Sequence, residues 1–194
     1  APHDRLVTVH QVHSATAVAL DAAPEPRPKA DAMVTATPGI ALAVLTADCL
    51  PLLLCDREGS RVAAAHAGWR GLATGVIEAT VAALQRPAAD LLAWLGPAIS
   101  GPAYVVGDEV REAFVGHAPV AAEAFLPAPS GGWQADLYRL ARQRLAAAGV
   151  DAVYGGDRCT YREAEQFYSY RRDGARSGRM ASLIWLQDGA DQAE

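Results

Sequence analysis

Gly39-Ile-Ala-Leu-Ala-Val-Leu-Thr-Ala-Asp-Cys-Leu-Pro-Leu-Leu-Leu-Cys55 is the longest apolar stretch of the chain. Asp48 and Pro51 interrupt it, and it falls short of the roughly 20 residues needed to cross a bilayer. It reads as two strands, residues 40–46 and 50–54, joined by a polar corner at Asp48 and Cys49. Residues 40–46 run apolar without alternation, the pattern of a strand covered on both faces. Such a strand needs packed layers around it, so the class is mixed α and β.

Outward from this stretch, short apolar runs with strand character fill residues 6–9, 16–20, 32–35 and 62–65 on either side. Residues 91–95 and 181–186 read the same way. Residues 24–29 are proline-rich and charged, as loops are. Helices interleave. Residues 71–84 place Leu72, Val76, Ile77, Val81 and Leu84 on one helical face. Residues 107–115 form a shorter candidate. Residues 136–148 carry the clearest signal, with Asp136 as N-cap, Leu137, Leu140, Ala141 and Leu145 as a stripe, and Gly149 as terminator. Residues 118–132 are rich in Ala, Pro and Gly and read as partly irregular.

The 194 residues suffice for one sizeable core. A net charge of −5 offers no broad basic field for nucleic acid or anionic lipid. No signal-peptide pattern opens the chain. Three cysteines, Cys49, Cys55 and Cys159, do not make a disulfide framework and point to a reducing, cytoplasmic setting. Cys55, inside an apolar run, reads as a small buried hydrophobe.

Four polar clusters stand where apolar runs end: His10-Gln-Val-His13, Thr46-Ala-Asp-Cys49, His66-Ala-Gly-Trp-Arg70-Gly71 and Ser169-Tyr-Arg-Arg172. Strand ends present side chains to clefts from a rigid scaffold. Two imidazoles and a thiolate make a nitrogen/sulfur donor set for zinc, and three protein ligands leave a fourth position open. Copper also accepts such donors. His10 and His13 compete for one place in this set, because residues three apart on a strand face opposite ways. His3 and His117 read as solvated. Asp48, between apolar residues, needs a hydrogen-bonding partner if buried. Arg70, at a helix start, suits either an anion or a surface ion pair. Of Arg171 and Arg172, one suits a phosphate and the other solvent.

Further motifs follow in order: Lys29-Ala-Asp-Ala-Met-Val-Thr35, Leu95-Gly-Pro-Ala-Ile-Ser100, Val106-Gly-Asp-Glu-Val110, Cys159-Thr160, Phe167-Tyr-Ser-Tyr-Arg-Arg-Asp173 and Gly178-Arg179. With the clusters above, this series resembles the YfiH-like family, also called the laccase-domain or multicopper polyphenol oxidase family, over nearly the whole chain. The resemblance implies an α+β fold, an α/β/β/α sandwich with mixed sheets. It implies a single catalytic domain over residues 1–194 and a zinc site of His13, Cys49 and His66. Family members also carry an upstream stretch with a Gly-Gly-Ser-like motif. Ala1 stands close to the first ligand, so the domain is expected to lack that stretch, to fold and bind zinc without it, and to turn over more slowly.

The family carries two functional labels, copper-dependent polyphenol oxidation and purine nucleoside chemistry. The second comprises phosphorolysis of inosine, adenosine and methylthioadenosine, and adenosine deamination. Four-electron oxygen chemistry needs several coppers and many histidines, and this chain has five. One three-ligand site suits the nucleoside reading better. The expected partners are a purine nucleoside and phosphate, without nucleic acid or membrane. The expected catalytic residues are Cys49, His66, Asp48 and Arg70, with Arg70 and Arg171 binding phosphate. Two rivals remain. One is a closed structural zinc site with Cys159 as fourth ligand, and the other is a Cys49–His66 nucleophile pair.

Overall fold

A computed structural model of the protein describes residues 6–187. The two strands of the opening stretch are β4 (Ala41–Thr46) and β5 (Leu50–Asp56), and they lie in different sheets. β4 is the centre of a three-stranded sheet, parallel to β1 (Leu6–Val7) and antiparallel to β12 (Met180–Ile184). β5 lies within a six-stranded mixed sheet. Its antiparallel neighbours are β6 (Val62–Ala67) and β7 (Leu91–Leu95). Beyond β6 come β3 (Ala32–Thr35) and β2 (Ala17–Ala19), and beyond β7 comes β11 (Ala152–Gly155). The fold is thus α+β with mixed sheets.

Strand alternation divides the core in two. Ala63, Ala65 and Ala67 of β6, with Leu50, Leu52 and Leu54 of β5, face the helices. Val62 and Ala64 of β6, with Met33 of β3, face Leu42 and Val44 of β4 across the second layer. The alanines of β6 are fully buried and keep both layers close. Cys55 packs against the second cluster but is only partly buried, not the buried hydrophobe expected.

The helices are α1 (Trp69–Thr74), α2 (Val76–Leu84), α3 (Asp108–Val115), α4 (Leu137–Ala147) and the short α5 (Tyr170–Asp173). The single helix expected over residues 71–84 is two, because Gly75 takes a left-handed conformation (φ 100°) and ends α1. Asp136 caps α4 as its position suggested, its carboxylate accepting from Arg139 N at 2.9 Å. Arg144 of α4 ties down α1 and α2 by pairing with Glu78 of α2 at 2.9 Å and donating to Ala73 O of α1. In a third sheet β10 (Trp133–Ala135) pairs with β8 (Val105–Val106) and β9 (Phe125–Pro127); β9 falls within residues 118–132, read as partly irregular, and β8, β10 and β11 had no expectation attached. These strands are too short for a periodic signal. No described helix is long and apolar enough to cross a membrane. The expectation for His3 lies outside the described residues.

A metal-type centre in an aromatic cavity

The chain passes twice from the three-stranded sheet to the six-stranded one, after β1 and after β4. His13 lies in the first crossing and Cys49 in the second. His66 sits near the end of β6, which runs two residues further than its sequence pattern suggested. The ligand atoms of His13, Cys49 and His66 all lie within 4.8 Å of one another. Cys49 Sγ is 4.0 Å from His13 Nε2, and the two imidazole rings meet edge to face at 4.8 Å. The structure therefore brings together the three residues named from sequence. His10 stands on the cavity wall, outside this cluster. Cys159 is buried elsewhere and is not part of it.

Two side chains fold the first crossing into place, and neither was singled out by its sequence. Gln11 acts as a piece of strand, donating to Leu45 O and accepting from Leu45 N, each at 2.8 Å. Asp31, fully buried, accepts from the backbone amides of Val12, His13 and Ser14 and from Nδ1 of His66. His13 has a positive φ of 61°. Gly68 leaves the ligands room, since a Cβ there would stand 2.9 Å from Cys49 Sγ and 3.2 Å from His13 Cδ2.

Charge at the cluster suits a cation. Burial alone would raise the Cys49 thiol, but hydrogen bonds and charge from His13 and His66 bring it down to about 7. Burial alone would lower His66, yet Asp31 and Cys49 lift it to about 9. Asp31 itself, despite burial, is held well below the carboxylate range by His66 and the amides of the loop. Thiolate and imidazole are the donors that zinc and copper select. The donor set, its convergence and the space opposite Gly68 all fit such an ion.

The cluster opens into a cavity of about 520 Å³, within the size range of small-molecule sites. Tyr104 and Tyr170 supply its aromatic surface, Val9 and Ile99 its aliphatic surface, and Arg171 and Arg179 its positive charge. Tyr104, Tyr170 and Arg179 were not named as site residues. Tyr170 opens α5 inside the Ser169–Arg172 cluster and Arg179 belongs to the Gly178-Arg179 motif, whereas Tyr104 lay in no motif. Burial raises the Tyr104 hydroxyl above its ordinary range, with the Cys49 charge adding to the rise and Arg171 and Arg70 opposing it. Arg171 lies 5.3 Å from the Tyr104 ring and donates to Val105 O.

Asp48, 8% exposed with φ 89°, accepts from Thr160 Oγ1 at 2.7 Å and from Arg171 N at 2.6 Å. It lines the cavity while tying down the segment that carries Arg171. Arg70 is exposed, its guanidinium 4.5 Å over Trp69, and does not line the cavity. Arg172 is not solvated as expected; it braces the backbone at Thr160, Tyr161 and Phe167.

A family model described as "Multi-copper polyphenol oxidoreductase laccase" matches residues 1–187. A purine nucleoside phosphorylase of Pseudomonas aeruginosa is 57% identical over 179 residues, 92% of this chain and 73% of the relative. The purine nucleoside phosphorylase YfiH of Escherichia coli is 53% identical over 180 residues, 93% of this chain and 73% of the relative. Among solved structures, a Neisseria meningitidis protein superposes with a TM-score of 0.91 at 53% identity, covering 95% of this chain and 76% of its own. The Bacillus licheniformis YfiH protein, a hypothetical protein by name, gives 0.85 at 32% identity, covering 96% and 76%.

Proposed function

The chain belongs to the laccase-domain family that includes YfiH, and from that membership and its cavity we propose that it is a zinc-dependent purine nucleoside phosphorylase. One observation carries the reading: a single cavity holds a metal-type cluster, aromatic surface and two guanidinium groups. Those are the contacts a purine, its ribose and a phosphate require. Among the described residues there is one cluster of three donors, whereas oxygen reduction by a laccase calls for several coppers. The name of the family is therefore a poorer guide to chemistry than the names of its close relatives.

His13, Cys49 and His66 would hold the ion. Bound there, zinc would supply Lewis-acid chemistry and acidify water. In phosphorolysis a phosphate oxygen bonds to C1′ of the ribose. The C1′–N9 bond breaks, and the purine leaves with the electron pair and gains a proton. Arg171, on the cavity wall, would hold the phosphate, and Arg70, outside that wall, would add positive charge. Tyr104 and Tyr170 offer faces to the base. The Tyr104 hydroxyl keeps its proton and so serves as a hydrogen-bond donor. Asp48 keeps Arg171 aimed at the cavity. Adenosine deamination, in which water replaces the 6-amino group and ammonia leaves, accompanies this reading because three ligands leave room for water.

The test is a substrate panel with metal analysis on one preparation. Inosine with phosphate should give hypoxanthine and ribose 1-phosphate, with about one zinc per chain. Cys49→Ser and His66→Ala should each lose the zinc. Oxidation of phenols by a protein carrying several coppers, without hypoxanthine release, would overturn the proposal.

A further inference from the structure

Asp31 stands outside the three-donor cluster, yet its carboxylate touches both segments that supply imidazoles. Oδ1 accepts from His66 Nδ1 at 2.8 Å and from His13 N at 3.0 Å. Oδ2 accepts from Val12 N at 3.2 Å, Ser14 N at 2.6 Å and Ser14 Oγ at 2.8 Å. Successive amides converge on one anion when the backbone between them changes hand, and His13, at φ 61°, supplies that change. The left-handed conformation is unfavourable for a non-glycine residue and persists only where its surroundings enforce it. Asp31 is 0% exposed, so no water competes for these donors.

We propose that Asp31 is a positioning residue for the metal centre, acting on two ligands at once. On His66 it keeps the proton at Nδ1, which leaves Nε2 to face the ion. On His13 it holds the loop in the one conformation that turns the ring toward Cys49. A carboxylate is required because five donors converge on two oxygens. Asparagine offers one oxygen and sets an N–H₂ group against other N–H groups, so either His66 or the loop is released. The inference rests on reading His13, Cys49 and His66 as metal ligands.

The experiment measures zinc and cobalt(II) affinity by competition with a chromophoric chelator, for wild type, Asp31→Asn and Asp56→Asn. Asp56 is another buried carboxylate that holds a turn, at the opposite end of β5 from Cys49, so it controls for general destabilisation. Asp31→Asn should bind metal about 10- to 100-fold more weakly, with altered cobalt absorption bands. Asp56→Asn should keep wild-type affinity in its folded state. A folded Asp31→Asn with wild-type affinity and spectrum would overturn the role. Should that variant not fold, nitrogen NMR of zinc-loaded wild type decides. A protonated Nδ1 and a metal-bound Nε2 on His66 are expected, and metal at Nδ1 would refute the proposal. Wild type that takes up neither metal sinks the metal reading and the role of Asp31 together, whereas normal wild-type uptake with an indifferent Asp31→Asn removes the second alone.

Discussion

Gly68 shows how little room the ligands have. Its backbone is extended (φ −66°, ψ 165°), so alanine suits the main chain. The obstacle is contact alone, a Cβ at 2.9 Å from the Cys49 sulfur. Gly68→Ala should therefore lose most of its zinc while the apoprotein melts within about 1 kcal/mol of wild type. Metal analysis beside a thermal melt checks this, and full zinc content would mean that the ligands sit further apart. Arginine roles are tested at the same scale. Arg171→Ala should raise the phosphate concentration needed for phosphorolysis far more than it weakens nucleoside binding, and Arg70→Ala should do the same to a smaller degree. Initial rates across phosphate concentrations decide, and unchanged phosphate dependence with collapsed nucleoside binding would remove both from the phosphate site. His13, Cys49 and His66 were legible because each is polar at the end of an apolar run and the motif order resembles a family. Asp31 was not, since an aspartate between two alanines looks like any turn. Tyr104 was not, because a cavity wall drawn from remote segments leaves no local pattern, and Arg179 showed only as part of a motif.

Elements were read best where a physical rule acts locally. Residues 32–35 form the strand expected, and α4 begins at its aspartate cap. Asp136→Ala should cost about 1 kcal/mol, seen as a lower urea midpoint with an unchanged slope. The break at Gly75 was missed because the apolar face continues across it, and periodicity carries no information about handedness. The turn between β5 and β6 gives a pH-dependent case. Asp56 is buried, which alone would raise its pKa, but Ser60, Arg61 and the Arg86 charge 3.1 Å away hold it below the ordinary carboxylate value. A lowered folded pKa adds stability above the unfolded value, and that stability fades as pH falls through the folded one. Asp56→Asn should thus be less stable than wild type by about 1–3 kcal/mol at neutral pH. The gap should narrow below about pH 4. A gap that stays constant down to pH 2 would show that the charge on Asp56 is irrelevant.

At the scale of the whole molecule, the sequence pattern conveyed layers but not which strands share a sheet. Apolar runs report burial, and the pairing partner of each strand is decided by packing far away in the chain. That is why β4 and β5, adjacent in sequence, part at Cys49. Tyr138 shows one long-range tie, its hydroxyl accepting from Ala98 N and donating toward Gly96 O and Arg158 O. Tyr138→Phe leaves the Ala98 amide unpaired, and it should cost about 1–3 kcal/mol in chemical denaturation. An unaffected midpoint would show that water replaces the hydroxyl.

The crossings that carry His13 and Cys49 have a thermodynamic consequence. An unfolded chain does not hold these three donors together, so an ion that joins them favours the folded state by mass action. Each tenfold rise in free zinc above the dissociation constant should then add about 1.4 kcal/mol of stability. The melting temperature becomes a gauge of free zinc, climbing steadily with its logarithm. In Cys49→Ser the same gauge should stand still.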